Sequence, residues 1–386
     1  MTTVASPTLG AAVAAYARRF HAAVGSEHHV GSPLGAWIVL ALVAEAAEGA
    51  EAERLAEVLG MQAPEAAGYA RWLLDRPHPV VAAAAAAWTR DTPTAAAERW
   101  VAGLPDAVER GPVPSQAAAD AWAREHTFGL IETFPLDVAK GWSCVLASAL
   151  ATRVSWSVPF DTAGADAFRS GWRHRVARVL RTPRRGHECA IVRHPDVGDV
   201  ALHRARSEGL VVTSVIAAPD VPADRVLAAA HDLAGHRGDR RSLFDLAVGD
   251  GHAWTVTESD GEEGEERLVA VLPAWSATSD HDLSPAAFGF ADAAAVLGRL
   301  FDAPDWEARQ AATARYDRVG FEAAAVTVVA ARMSFRPPQR GRQRDALLRF
   351  DRPYAVVANA VADGESPWSG LPVFSAWVAE PQNARD

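Results

Sequence analysis

The side chains able to do chemistry are few and scattered. The chain carries thirteen histidines and two cysteines, Cys144 and Cys189, and its single lysine is Lys140. His187, Cys189 and His194 have donor types that suit zinc, but their spacing fits no closed zinc site. His28-His29 reads as a loop pair. No Gly-x-Ser-x-Gly elbow, His-Glu-x-x-His helix or phosphate-cradling glycine loop occurs, so nothing points to nucleophilic, metal-assisted or nucleotide chemistry. The expectation is a protein that is not an enzyme and holds no metal or cofactor. Charge is concentrated in two places. Glu258–Glu266 reads as an acidic, solvated turn between strands. Arg332, Arg336, Arg340, Arg342, Arg344 and Arg349 interleave with Pro337, Pro338 and Gly341. Proline removes backbone donors and like charges repel, so an exposed loop is expected there.

The elements that must position these groups change character along the chain. Gly10–Val24 has apolar residues at helical spacing, and Ser32-Pro33 supplies an N-cap and a first-turn proline for an apolar helix over 33–44. Glu51–Leu59 is a short amphipathic helix stopped by Gly60. Val80–Trp88 is alanine-rich, and periodicity leaves helix and strand open. Gln116–Ile131 reads as a helix with Trp122 inward and a break at Gly129. Val145–Val154, Leu210–Ala217, Arg267–Leu272, Ala323–Ala331, Tyr354–Val361 and Val373–Val378 read as strands. Helices first and strands later, with no βα alternation, suggest an α+β fold.

Composition narrows the class. With 386 residues, 49% hydrophobic and 22% charged, the chain is a globular protein with ample core. A net charge of −10 argues against a nucleic-acid partner, which needs a basic face. The N-terminus lacks a basic region followed by a long apolar run, and the apolar run 33–44 is too short to span a bilayer. A cytoplasmic protein with no membrane partner is expected, although secretion by another route leaves no sequence mark.

Several segments, taken in order, resemble the serpin family. Ser32-Pro33-Leu34 resembles its "SPLS", Gly49–Leu55 with Val58-Leu59 its "GxTxxQLxxVL", and Trp122 to Ile131 its "NxWVxxxTxGxI". Leu146 to Phe160, ending Trp156-Ser157-Val158-Pro159-Phe160, is similar to "NAxxFKGxWxxPF", and Leu272-Pro273-Ala274-Trp275 to "LPKF". Gly320–Thr327 resembles the hinge "GTEAAAAT", and Phe350–Tyr354 resembles "FxADHPF".

The resemblance implies one domain over 1–386, with three β-sheets, about eight or nine helices, and a hinge and exposed reactive loop at about 317–346. It implies a monomeric suicide inhibitor of serine proteases. The target cuts the loop, forms an ester with it, and is trapped as the loop inserts into the main sheet. The hinge would be Arg318, Gly320, Phe321, Glu322, Ala323, Ala324, Ala325 and Thr327. In an inserted strand Phe321, Ala323, Ala325, Thr327, Val329 and Ala331 would share the buried face. The usual loop length puts the reactive bond at Ser334-Phe335, and a count one shorter at Met333-Ser334. Met333 or Phe335 would suit chymotrypsin- or subtilisin-like enzymes, Arg332 or Arg336 trypsin-like ones. Ser32, Gly35, Ser148 and Gln310 would control sheet opening. Gly35, Ser148 and Gln310 stand where the family has Ser, Asn and His, while Arg318 replaces a Glu and Phe321 a small residue. The alternative expectation is a non-inhibitory binding protein using the arginine-rich loop for an acidic partner or polyanion.

Overall fold

The computed structural model describes residues 8–90, 94–235, 238–321 and 340–385. It begins with α1 (Leu9–Val24), β1 (His29–Gly31), α2 (Pro33–Ala44), α3 (Gly49–Leu59) and α4 (Ala63–Asp75). Next come β2 (Val81–Thr89), α5 (Ala95–Gly103), β3 (Val108–Pro112), α6 (Gln116–His126), β4 (Cys144–Thr152) and β5 (Val154–Ser155). The middle holds β6 (Asp161–Gly164), β7 (Arg178–Arg181), β8 (Glu188–His194), β9 (Gly198–Ser207), β10 (Leu210–Ile216) and α7 (Ala223–Gly235). Then follow β11 (Asp239–Arg240), β12 (Gly249–Asp250), β13 (Trp254–Glu262), β14 (Glu266–Leu272), β15 (Trp275–Asp282) and α8 (Phe290–Phe301). The chain closes with β16 (Arg309–Tyr316), β17 (Gly320–Phe321), β18 (Arg340–Arg349), β19 (Tyr354–Ala360) and β20 (Pro372–Val378).

Local signals explain the helices. Ser32 accepts from the Gly35 amide and Pro33 fills the first turn of α2. That helix is apolar all round and is buried on almost every side. Gly60 stops α3 at a left-handed φ of 74°. Helix α6 ends at His126, short of the expected Ile131. The Thr127 hydroxyl donates to the Ala123 carbonyl and accepts from the Ile131 amide, so the side chain replaces the next helical bonds. The undecided alanine run is strand β2, antiparallel to β4 and parallel to β3.

Among the described residues hydrogen bonds draw four sheets, two of them halves of one, which leaves the three expected. A seven-stranded sheet runs β1-β20-β19-β10-β9-β8-β11, and a six-stranded one runs β12-β13-β18-β14-β7-β6. The other two, β15-β16-β17-β5 and β3-β2-β4, are one sheet split along a seam, because β5 continues β4 after Arg153. One continuous core joins α1, α2 and α8 to strands of all of these sheets.

Two charge-based expectations are corrected together. Of the arginine-rich segment, Arg332 to Gln339 lie outside the described residues. From Arg340 it is strand β18, so the loop does not extend to 346. The acidic segment is mostly strand β13, with a turn only at 263–265. They pair with each other: Arg344 lies opposite Glu258, Arg342 opposite Asp260 and Arg340 opposite Glu262. Read alone each segment repels itself; side by side, Arg342 and Arg344 both reach Glu258.

Candidate functional site

The seam is the feature around which the expected functional residues gather. Strand β4 bonds β2 on one side, and β16 bonds β15 on one side. Among the described residues their facing edges are joined only at one end, where Gly320-Phe321 pairs with Ser155-Val154 and with Tyr316. Phe321 is antiparallel to both neighbours, so it heads back down between β4 and β16. Between the two banks lies a cavity of about 180 Å³, floored by α2 and α8 and lined by Ser148 and Leu150 on one bank and by Gln310 and Ala312 on the other.

Ser32, Gly35, Ser148 and Gln310, expected to control opening, meet at the floor of this slot. Gln310 grips Ser32 twice: its Oε1 accepts from the Ser32 amide and its Nε2 donates to the Ser32 carbonyl, both at 2.9 Å. On the opposite bank, Ser148 Oγ donates to the Gly35 carbonyl at 2.8 Å. Ser32 Oγ donates to the Val373 carbonyl, tying the same turn to β20. The N-terminus of α2 is thus a rivet between banks that do not bond each other. Gly35 fits because a Cβ there would come within 3.2 Å of both Leu150 Cδ1 and Ser148 Oγ.

The mouth of the slot is closed by Phe321, which is 4% exposed and packs edge-on against Trp275 at 6.3 Å. The Phe321 ring, standing where the family has a small residue, is seated between β5 and β16. Its approach is held by groups that the sequence did not single out for this task. Asp317 Oδ1 accepts from the amides of Val319 and Gly320. Trp156 Nε1 donates to the Asp317 carbonyl at 2.9 Å, and the Phe160 amide to the Arg318 carbonyl at 3.0 Å. The signal available was the Trp156–Phe160 motif, which the resemblance used for fold only. Glu322, Ala323, Ala324, Ala325 and Thr327, and the bond candidates Arg332, Met333, Ser334, Phe335 and Arg336, lie outside the described residues.

Other chemistry-bearing groups have structural surroundings. His187 Nδ1 is 2.9 Å from His203 Nε2, a histidine pair with no metal geometry, and His194 lies apart on β8 near Asp232. Among the described residues no group of three or more His, Cys, Asp or Glu is placed to hold a metal ion. His29 is no loop residue; it is buried in β1. Burial pushes both thiols, Cys144 and Cys189, up to about 12. The arginines of β18 are engaged: Arg344 Nε donates to Glu258 at 3.0 Å and its Nη1 to the Leu243 and Leu246 carbonyls. Arg349 donates to the Ala167 carbonyl and Thr255 Oγ1. No described helix is long and apolar enough to cross a membrane.

No family model and no curated protein matches the sequence. Solved structures match over almost the whole length. Tengpin, a thermophilic serpin in its native state, aligns with TM-score 0.64 and 13% identity over 96% of this chain and 93% of its own. Human glycosylated kallistatin gives 0.62 and 16% over 96% and 97%, respectively. Thyroxine-binding globulin in complex with thyroxine gives 0.61 and 14% over 97% and 98%. The chain has the serpin fold, an α+β architecture.

Proposed function

We propose that this chain is a suicide inhibitor of serine proteases, acting as a cleaved substrate whose loop inserts into the slot between β4 and β16. The observation that carries the reading is the slot itself, with Phe321 already in its mouth and the chain aimed down it. Continued residue by residue from the Phe321–Val154 and Phe321–Tyr316 pairs, an inserted strand would set Thr327 beside Ser148 on one bank and Gln310 on the other. The only polar residue of its inward face would then meet the polar rivet of the floor. The alanines before it need little room, and each adds ladder bonds to two edges that lack partners among the described residues. Ala331 would reach Cys144, the far end of β4. The residues beyond, Arg332 to Arg336, would emerge there with the bound enzyme. No general base of the chain's own is required, since the protease supplies the nucleophile.

The test is incubation with chymotrypsin, subtilisin and trypsin, read on a denaturing gel. A covalent band at the summed mass is expected with at least one, and clean loop cleavage without such a band overturns the reading. The polyanion alternative loses support because Arg344 and Arg349 are committed to Glu258, backbone carbonyls and Thr255. Retention on a heparin column at moderate salt would revive it.

A further inference from the structure

Behind the slot floor, four buried histidines converge from four elements: His21 on α1, His29 on β1, His231 on α7 and His281 on β15. Their hydrogen bonds have a direction. His29 Nδ1 is 2.8 Å from the Glu27 carbonyl oxygen, which can only accept, so that nitrogen carries the proton. In the neutral ring Nε2 then accepts, and His21 Nδ1, 2.8 Å away, donates to it. His21 Nε2 in turn accepts from the Ser375 hydroxyl at 2.5 Å. The wire runs from Ser375 through His21 and His29 to Glu27 and has no place for another proton between the rings, where two N–H groups would meet head to head.

The same residues hold the slot. His281 Nε2 donates to the Val30 carbonyl at 2.7 Å, and Ser279 Oγ accepts from the Val30 amide. His281 lies directly opposite Gln310 in the β15–β16 pair. The segment from His29 to Ser32 is therefore both the end of the wire and the tie on β16.

We propose that the Ser375–His21–His29 wire is a proton-sensitive lock on the slot: proton uptake breaks it, loosens β1 and the Ser32–Gln310 tie, and lets β4 and β16 part. The proposal deepens the reading above, as regulation of the same slot, but is observed without any protease.

Among the described residues the neighbouring carboxylates are engaged elsewhere. On α7, Asp232 is engaged by Arg18 of α1 at 2.9 Å and faces His194 of β8 at 3.5 Å. On β15, Asp280 is paired with Arg309 of β16, and Asp282 caps the Ser284 amide. Glu27 offers its carbonyl, β20 offers Ser375, and His28 donates to the Ser276 carbonyl. Among the described residues neither ring nitrogen of His231 has a partner. Burial accordingly holds His21 well below the usual imidazole range, His29 at about 4 and His231 at about 3, and it lowers His281. Groups depressed in the closed state bind protons more readily once exposed. The lock is therefore complete above pH ~6.5 and is lost as pH falls toward ~4.

Cys144 lines the slot and serves as the probe. Protein carrying Cys189→Ser would be labelled with a dipyridyl disulfide from pH 7.5 to 4.5, each rate divided by that of the urea-unfolded protein at the same pH. The expected ratio is level above pH 6.5 and rises about tenfold per pH unit below it for each proton taken up on opening. His29→Gln should flatten the rise. A ratio that stays level down to pH 4.5, or a rise unchanged in folded His29→Gln, overturns the lock. Should that variant not fold, ¹⁵N spectra of the parent decide independently. His21 and His29 are expected as neutral Nδ1-protonated tautomers at pH 7 and still neutral at pH 5.5, and the opposite tautomers or ordinary titration overturn the wire. Failure to trap a protease would sink the function proposed above and leave this profile untouched.

Discussion

Residues 322–339 are anchored at two ends, and the anchors differ in kind. At the near end Phe321 enters a seam whose banks, β4 and β16, have no partner on their facing edges among the described residues. At the far end Arg340 opens a strand bonded along both sides, antiparallel to β13 and parallel to β14. The first sheet is unfinished and gains backbone bonds by accepting a strand; the second is complete and loses them by releasing one. Sequence chemistry sorts the two: alanines and small polar residues line the open seam, while arginines and glutamates fill the closed one. If the chain works as proposed, a cut between the anchors is what permits filling the first seam without stripping the second.

The largest test of this contrast is at the mouth. Phe321→Ala removes a buried ring from between β5 and β16 and should lower unfolding free energy by about 3–5 kcal/mol. The Cys144 labelling rate should rise with it. Urea unfolding checks the first and thiol kinetics the second. A loss under about 1 kcal/mol would mean that the mouth does not depend on the ring, and the seam would then be open at both ends.

At the closed seam, Arg344→Met should cost less, about 2 kcal/mol. Its side chain is 14% exposed and bridges Glu258 to the carbonyls of Leu243 and Leu246, all of which lose a charged donor. Thermal and urea midpoints measure it. No change would return β18 to the exposed loop that its composition suggested, and the comparison would collapse to a single anchored end.

What was legible in the sequence was what is decided locally. Ser32-Pro33 and Gly60 announce helix ends because a cap and a left-handed stop act within one turn. The likeness grouped Ser32, Gly35, Ser148 and Gln310, which are far apart in the chain and line one cavity, a grouping that bonding rules alone could not have made. The split sheet could not be read, since whether β4 pairs with β16 depends on partners more than a hundred residues away. The arginine strand was misread for the same reason: repulsion within 340–344 is visible locally, and the reach of Arg342 and Arg344 to Glu258 is not. The histidine wire was missed because His28-His29 looks like a polar pair until α1 and β20 are folded onto it.

The smallest effect falls at the far end of the open seam. Lys140 lies in the short turn Val138–Lys140 before β4, and Glu307 stands just before β16. Their charged atoms meet at 2.7 Å across the gap, and Glu307 also lies 3.9 Å from Arg309, itself bound to Asp280. With 51% and 27% of their side chains exposed, the pair should add under ~1 kcal/mol to stability. Its position gives it a larger role in rate than in equilibrium, because widening the slot pulls these two groups apart. Lys140→Met should therefore leave the urea midpoint nearly unmoved while speeding Cys144 labelling up to about fivefold at low salt. Added salt should speed the parent toward the variant and leave the variant unchanged, since an ion pair is screened and a methionine is not. Equal rates and equal salt dependence in the two proteins would show that β4 and β16 part without disturbing this end, and would confine the moving portion of the seam to the stretch between the rivet and the mouth.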